Sequence, residues 1–203
     1  MSTALTDVRP YVLPHVDGCP VPVVDQAILR AAIRFCAETG VWRYTHATQA
    51  IVEATTAYGF APPAGTKVER VLAAWLDGVP LEVKNATDML GVADWATEAG
   101  APKCLVVLSD SQFRVYPLGA GDVDMEVTLK PARAATTIDD AVFEAHVEAI
   151  ADGALEILMA YPRKPWSDPA TGAYHKGEFE QAIDDATIRE FRHAPIRTAR
   201  PPL

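Results

Sequence analysis

A chain of 203 residues, 49% of them apolar, is long enough to bury a substantial core in one or two domains. Lys and Arg number 18 against 27 Asp and Glu, a net charge of −9, which argues against a general nucleic-acid or anionic-membrane binder. No apolar run approaches the ~18 residues of a membrane span, and no basic-then-apolar signal pattern opens the sequence, so a soluble, intracellular protein is expected.

In chain order, residues 1–24 read as an extended arm or packed loop, because Pro10, Pro14, Pro20 and Pro22 disfavour both helix and central strand. Asp25 is expected to cap a helix running to about residue 38, closed by Gly40, with Ile28, Leu29, Ala32, Phe35 and Cys36 on its apolar face. From about 42 to 133 the period changes to alternation. A short strand is predicted at 49–54, a turn at 62–65, and a hairpin around Asp77-Gly78, the strongest short turn signal in the chain. A single helical turn fits 85–90, and a second hairpin fits around Asp110-Ser111. Gly119 to Asp122 reads as a hairpin turn. It leads into Val123, Met125, Val127 and Leu129 on one face and Asp124, Glu126, Thr128 and Lys130 on the other.

The stretch 136–193 reads as a long helix, a Pro-rich corner and a second long helix. Phe143, Val147, Ile150, Ala151, Ala154, Leu155 and Leu158 form one apolar stripe, and Thr137 followed by Asp140 resembles a capping box. Pro162, Pro165 and Trp166 make the corner, and Asp168-Pro169 supply an N-cap and first-turn pair for the next helix. Gly172 and Gly177 interrupt that helix, and its stripe of Phe179, Ala182, Ile183 and Ala186 does not continue through Tyr174. The helix is therefore expected to bend or to begin only near Lys176. The fold class expected is α+β: about three main helices bundled from 1–43 and 135–192, an inserted antiparallel β domain over 44–134, and an extended tail over 193–203.

Charge is placed unevenly. Asp140, Glu144, Glu148, Asp152 and Glu156 recur every fourth residue with no base between them, and like charges at that spacing destabilise a lone helix by about 0.2–0.5 kcal/mol per pair. The row is either a solvated face, a surface met by bases of another element or subunit, or a channel lining. Arg30 and Arg34, four apart on the first long helix, are candidates to answer it. From Arg189 onward there are four Arg and one Glu, a net +3 that leaves −12 for the remainder.

Signals for chemistry are poor. Three cysteines at 19, 36 and 104 are odd in number and widely spaced, which suits reduced thiols rather than a disulfide framework. His46, Cys104 and an Asp could be drawn as a nucleophilic triad, yet Leu105, Val106 and Val107 mark Cys104 as a strand-core thiol. The five His never fall at metal-ligand spacing, and Gly119-Ala-Gly121 opens no helix that could hold a phosphate. No catalytic residue, metal site or cofactor is expected.

One ordered series of segments does carry a signal. Phe113 to Pro117, Val127 to Pro131, Gly153-Ala154-Leu155, then Pro162 to Pro169 and finally Phe179 to Ile183 follow one another in an order and spacing that resembles the head-to-tail adaptors (connector, or tail tubular A type) of tailed bacteriophages. Gly18-Cys19-Pro20 and the helix with Arg30, Arg34, Phe35 and Cys36 are similar to the opening of the same proteins. The resemblance implies a structural virion protein with no enzymatic activity, placed at the neck. It would assemble as a dodecameric ring under the portal protein, extend the DNA channel and dock a tail nozzle or tail tube. DNA would pass through without specific binding. It also implies that a segment after the last helix embraces the portal, which here would involve Arg192, Arg197, Arg200, Pro201, Pro202 and Leu203. Two other classes remain open: another head- or tail-completion protein of the virion, and a small soluble hydrolase or ligand-binding protein.

Overall fold

The structure, a computed structural model, describes residues 2–53, 55–92 and 94–193. It is a mixed α/β protein with four helices and one large sheet among the described residues. The chain divides into two compact units, one made of residues 42–138 and the other of everything up to Val41 and from Asp139 onward.

Of the two readings expected for the opening segment, an extended arm or a packed loop, it is the packed one, and it is turned rather than extended. After a short strand β1 (Ser2–Ala4) it coils through a 3-10 turn at Leu5–Val8, a single turn of helix α1 (Arg9–Val12) and a second 3-10 turn at Leu13–His15. Pro10 and Pro14 each sit in a first turn, where a missing N–H costs nothing, so they start turns instead of breaking them. Helix α2 (Val21–Thr39) likewise begins at the prolines, with Pro20 as N-cap and Pro22 in the first turn. Asp25 is therefore inside the helix rather than its cap. Its carboxylate accepts from Nε and Nη2 of Arg9, each at 2.6 Å. At the other end Gly40 takes the left-handed conformation (φ 69°) and donates its N–H to the Cys36 carbonyl, closing the helix as its sequence implies.

The unit of residues 42–138 contains β2 (Arg43–Ile51), β3 (Tyr58–Gly59), β4 (Thr66–Leu76), β5 (Val79–Asn85), β6 (Cys104–Ser109), β7 (Gln112–Tyr116) and β8 (Gly121–Pro131), in the spatial order β2-β8-β4-β5-β6-β7-β3. Val123, Met125, Val127 and Leu129 of β8 are fully buried and pack with Val68, Leu105, Phe113 and Val115. Asp77 and Gly78 both have positive φ (49° and 79°), the two-residue turn that matches strand twist, and Leu76 pairs with Val79 across it.

Two expectations for the sheet fail. It is mixed, not antiparallel, because β5 and β6 run parallel, with Glu82 opposite Cys104 and Asn85 opposite Val107. Residues 86–103 make the crossover such a pair needs. Their Met89, Ala86 and Trp95 cover Cys104 and Val106 on the second face of the sheet. Nor is Gly119–Asp122 a hairpin turn, since β7 and β8 are not neighbours. It is instead locked to the Asp77 turn: Asp77 donates its N–H to the Asp122 carbonyl, and Asp122 donates its own to Asp77 Oδ1, both at 2.9 Å. A Cβ on Gly121 would lie 2.6 Å from Asp77 Oδ2, which is why glycine stands there.

A short strand β9 (Thr137–Asp139) leads into α3 (Asp140–Met159), and α4 (Pro169–His193) follows the Pro-rich corner. Helices α2, α3 and α4 pack on one another around Phe35, Ala149, Phe179, Ile183 and Ala186. The packing is tight at Gly153, where a Cβ would fall 2.9 Å from the Phe179 ring and 3.0 Å from Ala31 Cβ. The cap of α3 is Asp139, which accepts from the Ala141 N–H at 3.0 Å, while Thr137 lies in β9, so no capping box forms. Helix α4 starts at Pro169 rather than near Lys176. Asp168 accepts the N–H groups of Ala170 and Thr171, both at 3.1 Å, and Gly172 lies buried beside Met159, whose Cβ would be 3.1 Å from an added Cβ. Among the described side chains, the buried positions of α4 are Gly172, His175, Phe179, Ile183 and Ala186, and the exposed Tyr174 falls off this stripe as its sequence implies.

Candidate functional site

The features that set this chain apart lie on α3 and α4. The stripe of α3 is not continuous. His146 has non-helical angles (φ −139°, ψ 16°), and the helix kinks there, leaving Phe143 and Val147 half-buried while Ile150, Ala151, Ala154, Leu155 and Leu158 are buried. The His146 ring lies 4.8 Å from that of Phe35, and burial first, then the Arg189 charge, push its pKa down, with Glu190 opposing.

The acidic row divides into partnered and unpartnered members. Asp140 accepts from Thr3 Oγ1 at 2.6 Å, Asp152 lies 2.8 Å from Nδ1 of the buried His175, and Glu156 lies 3.4 Å from Arg34 Nη1. Glu144 and Glu148 are exposed and make no ion pair among the described residues. Arg34 also reaches Glu38 at 2.8 Å and Glu180 at 3.9 Å, and its guanidinium stands 5.1 Å above the Phe179 ring. The Glu38 hydrogen bond is the main reason its pKa rises. Arg30 is exposed and has no such partner among the described residues. The structure thus joins Arg34 to the row at Glu156 and does not bring Arg30 to it.

Between α3 and α4, on the side of the kink, runs a groove of about 480 Å³. Val147, Ala149, Ala182 and Ala186 give it an apolar floor, and Glu144, Glu148, Asp152, Glu178 and Asp185 line it with carboxylates, against Arg189 near the end of α4. Glu178 and Asp185 belong to this acidic face but escape a reading of α3 alone. What would have revealed them is the antiparallel packing of the two helices. The His175–Asp152 pair escapes for the same reason, since its members are 23 residues apart, on different helices. His15 stands edge-on to His175, with ring centroids 5.9 Å apart.

In the corner, Pro162 and Pro165 are exposed, Arg163 has a positive φ of 60°, and Trp166 is half-buried, its Nε1 without a hydrogen-bond partner among the described residues. Arg192 is exposed in the last turn of α4, whereas Arg197, Arg200, Pro201, Pro202 and Leu203 lie outside the described residues.

The residues once drawn as a triad are separately occupied. His46 is buried with both ring nitrogens engaged: Ala61 N–H donates to Nε2 at 2.9 Å, which leaves Nδ1 to donate to the Ala47 carbonyl at 2.7 Å. Cys104 is buried in β6, and burial raises its pKa, away from the reactive thiolate. Cys36 is pushed up to about 12 by burial within α2. All three cysteines are free. No group of three or more metal-ligating side chains occurs among the described residues, nor is any described helix long and apolar enough to cross a membrane.

Charged surfaces on α3 and α4 are what stands out among the described residues, and comparison with known families gives the class. The family described as SU10 adaptor protein matches residues 2–200. The chain belongs to that family. SU10 adaptor proteins are phage adaptors of the head-to-tail type, so this chain is a structural protein of a bacteriophage virion. Among curated proteins none matches it. The match takes in both units and most of the basic segment that follows α4, so family membership applies to the helices, the sheet and the Arg-bearing segment alike.

Proposed function

We propose that the chain is the adaptor ring of a phage neck. Twelve copies assemble beneath the portal protein, extend the DNA channel and present a docking surface to a tail nozzle or tail tube. Within each copy α2, α3 and α4 form the ring-building bundle, and the sheet is an inserted domain. Arg192 and the segment carrying Arg197, Arg200, Pro201, Pro202 and Leu203 dock on the portal.

The observation that carries this reading is the family match, which covers residues 2–200. Charge supports it. A passage for DNA is served by walls that do not bind it, and the net −9 is an excess of acid that repels the duplex. A head-to-tail ring also needs two different patches that complement each other on every subunit. The exposed Arg30 supplies a basic one, and Glu144 and Glu148 an acidic one that faces the neighbouring subunit or the channel, while Arg34, Asp140, Asp152 and Glu156 are engaged within the chain. The corner at Pro162, Pro165, Trp166, Asp168 and Pro169 fixes the turn between α3 and α4.

Electron microscopy of the purified chain mixed with portal rings tests the proposal. Adaptor rings are expected on the portal with the full chain and none after removal of the residues that follow Arg192. Equal binding by the truncated chain would overturn the docking role of that segment.

A further inference from the structure

We infer that the groove between α3 and α4 of one copy takes the corner 162–165 of a second copy. The inference rests on the reading that copies meet head to tail, and it names the two surfaces that meet. Five carboxylates, Glu144, Glu148, Asp152, Glu178 and Asp185, against Arg189 give the groove a net −4 with His146 counted neutral. Four of the five, all but Asp152, make no ion pair among the described residues. The corner is the complement. Arg163 and Lys164 stand side by side, exposed, and likewise make no ion pair among the described residues. Asp168, the nearest acid in sequence, is committed to α4, where it accepts from the N–H groups of Ala170 and Thr171 and from the Thr171 hydroxyl. Arg30 offers the groove a single cation, whereas the corner offers two adjacent ones.

Shape agrees with charge. Pro162 and Pro165 fix φ on either side of the two cations, so little backbone freedom is lost on docking. The floor of Val147, Ala149, Ala182 and Ala186 suits the aliphatic stems of Arg and Lys, and the carboxylates above it suit their charged heads. The corner lies at the other end of the same two helices and is out of reach of its own groove. From Glu148 to the end of α3 at Met159 is roughly 16 Å at 1.5 Å per residue, and from Asp185 back to Pro169 roughly 24 Å. The occupant is therefore another chain. Because the giving and taking surfaces differ, the contact is heterologous and repeats from copy to copy. Exposed ion pairs contribute little each, so two free copies hold weakly, and copies gathered on one portal hold firmly through many such contacts.

Carbodiimide coupling, which joins an amine to a carboxylate it touches, tests this on the full chain. Isotope-labelled and unlabelled chains are mixed at low salt, without portal and with portal rings, and the linked peptides are identified by mass. Lys164 is expected to be joined to Glu144, Glu148, Glu178 or Asp185, with the two isotopes mixed within linked pairs. About 0.5 M salt should lower the yield about tenfold in the free chain. A charge exchange gives a second readout. The variant Arg163→Glu with Lys164→Glu, and the variant Glu148→Lys with Glu178→Lys, should each self-associate about tenfold less than the wild type, and mixing the two should restore association. Should either double variant lose helical circular dichroism, Lys164→Glu mixed with Glu148→Lys gives the same comparison, with an expected change of about threefold. No link from Lys164 to the groove in either sample would overturn the inference, as would links confined to one isotope. Rings that form on the portal without that link would overturn it while leaving the adaptor reading intact; the link without rings would do the reverse.

Discussion

The two units handle charge differently. In the sheet unit three lysines hold acids close at hand: Lys130 with Glu69, Lys67 with Asp110 and Lys84 with Glu82. Its buried cation, Arg114, donates to the Ala96 carbonyl at 2.6 Å and lies 4.8 Å over Trp95, while its Nε has no hydrogen-bond partner among the described residues. The helical unit concentrates its acids on α3 and α4 and leaves four of them around one groove without partners among the described residues. Carboxylates gathered on one face and left unanswered are open to a base from outside the unit.

The largest test of that contrast is Phe179→Ala. Phe179 is 1% exposed and packs against Gly153, so the substitution is expected to cost the helical unit about 3–5 kcal/mol. Hydrogen exchange should accelerate at α3 and α4 and stay slow at β8. Acceleration at β8 to the same degree would show that the two units unfold together and would end the comparison.

In the sheet unit the matching experiment is Arg114→Ala. Its loss removes a buried hydrogen bond and a ring contact under the crossover 86–103, an expected cost of about 1–3 kcal/mol. The effect should be local, read as faster proteolysis within the crossover with little change at β2. A global loss of stability would mean that the crossover is part of the main core.

A smaller pair sharpens the helical side. At Gly177 an added Cβ meets nothing within 4 Å, and Gly177→Ala is expected to stabilise α4 by about 1 kcal/mol. At Gly172 the Cβ would press on Met159 at 3.1 Å, so Gly172→Ala should give less or turn destabilising. Thermal melts of the two variants should separate in that order.

What could be read from the sequence followed from how local its cause was. The alternation of β8, the Asp77-Gly78 turn, the capping of α4 by Asp168 and the stop at Gly40 all arise within a few residues, and each is where it was expected. The prolines of the first 24 residues misled because proline ends a helix from within and starts one from its first turn, and the two roles look alike without the fold. The parallel pairing of β5 and β6 had no local mark, since residues 86–103 show no period. The kink at His146 has neither Pro nor Gly to announce it. For the candidate site, the α3 acids were legible by spacing, while Glu178, Asp185 and His175 required knowing that α4 packs alongside.

One arrangement has a consequence during synthesis. Phe35 and Phe179 share a core cluster, yet the whole sheet unit is encoded between them. At about 5–20 residues per second a ribosome needs on the order of 10 s to travel from one to the other. For that time the apolar face of α2, with Ile28, Ala31 and Phe35, has no α3 or α4 to cover it, while the sheet becomes available for folding first. An apolar helix face left uncovered for that long is exposed to aggregation, so the yield of folded chain depends on how quickly α3 and α4 follow.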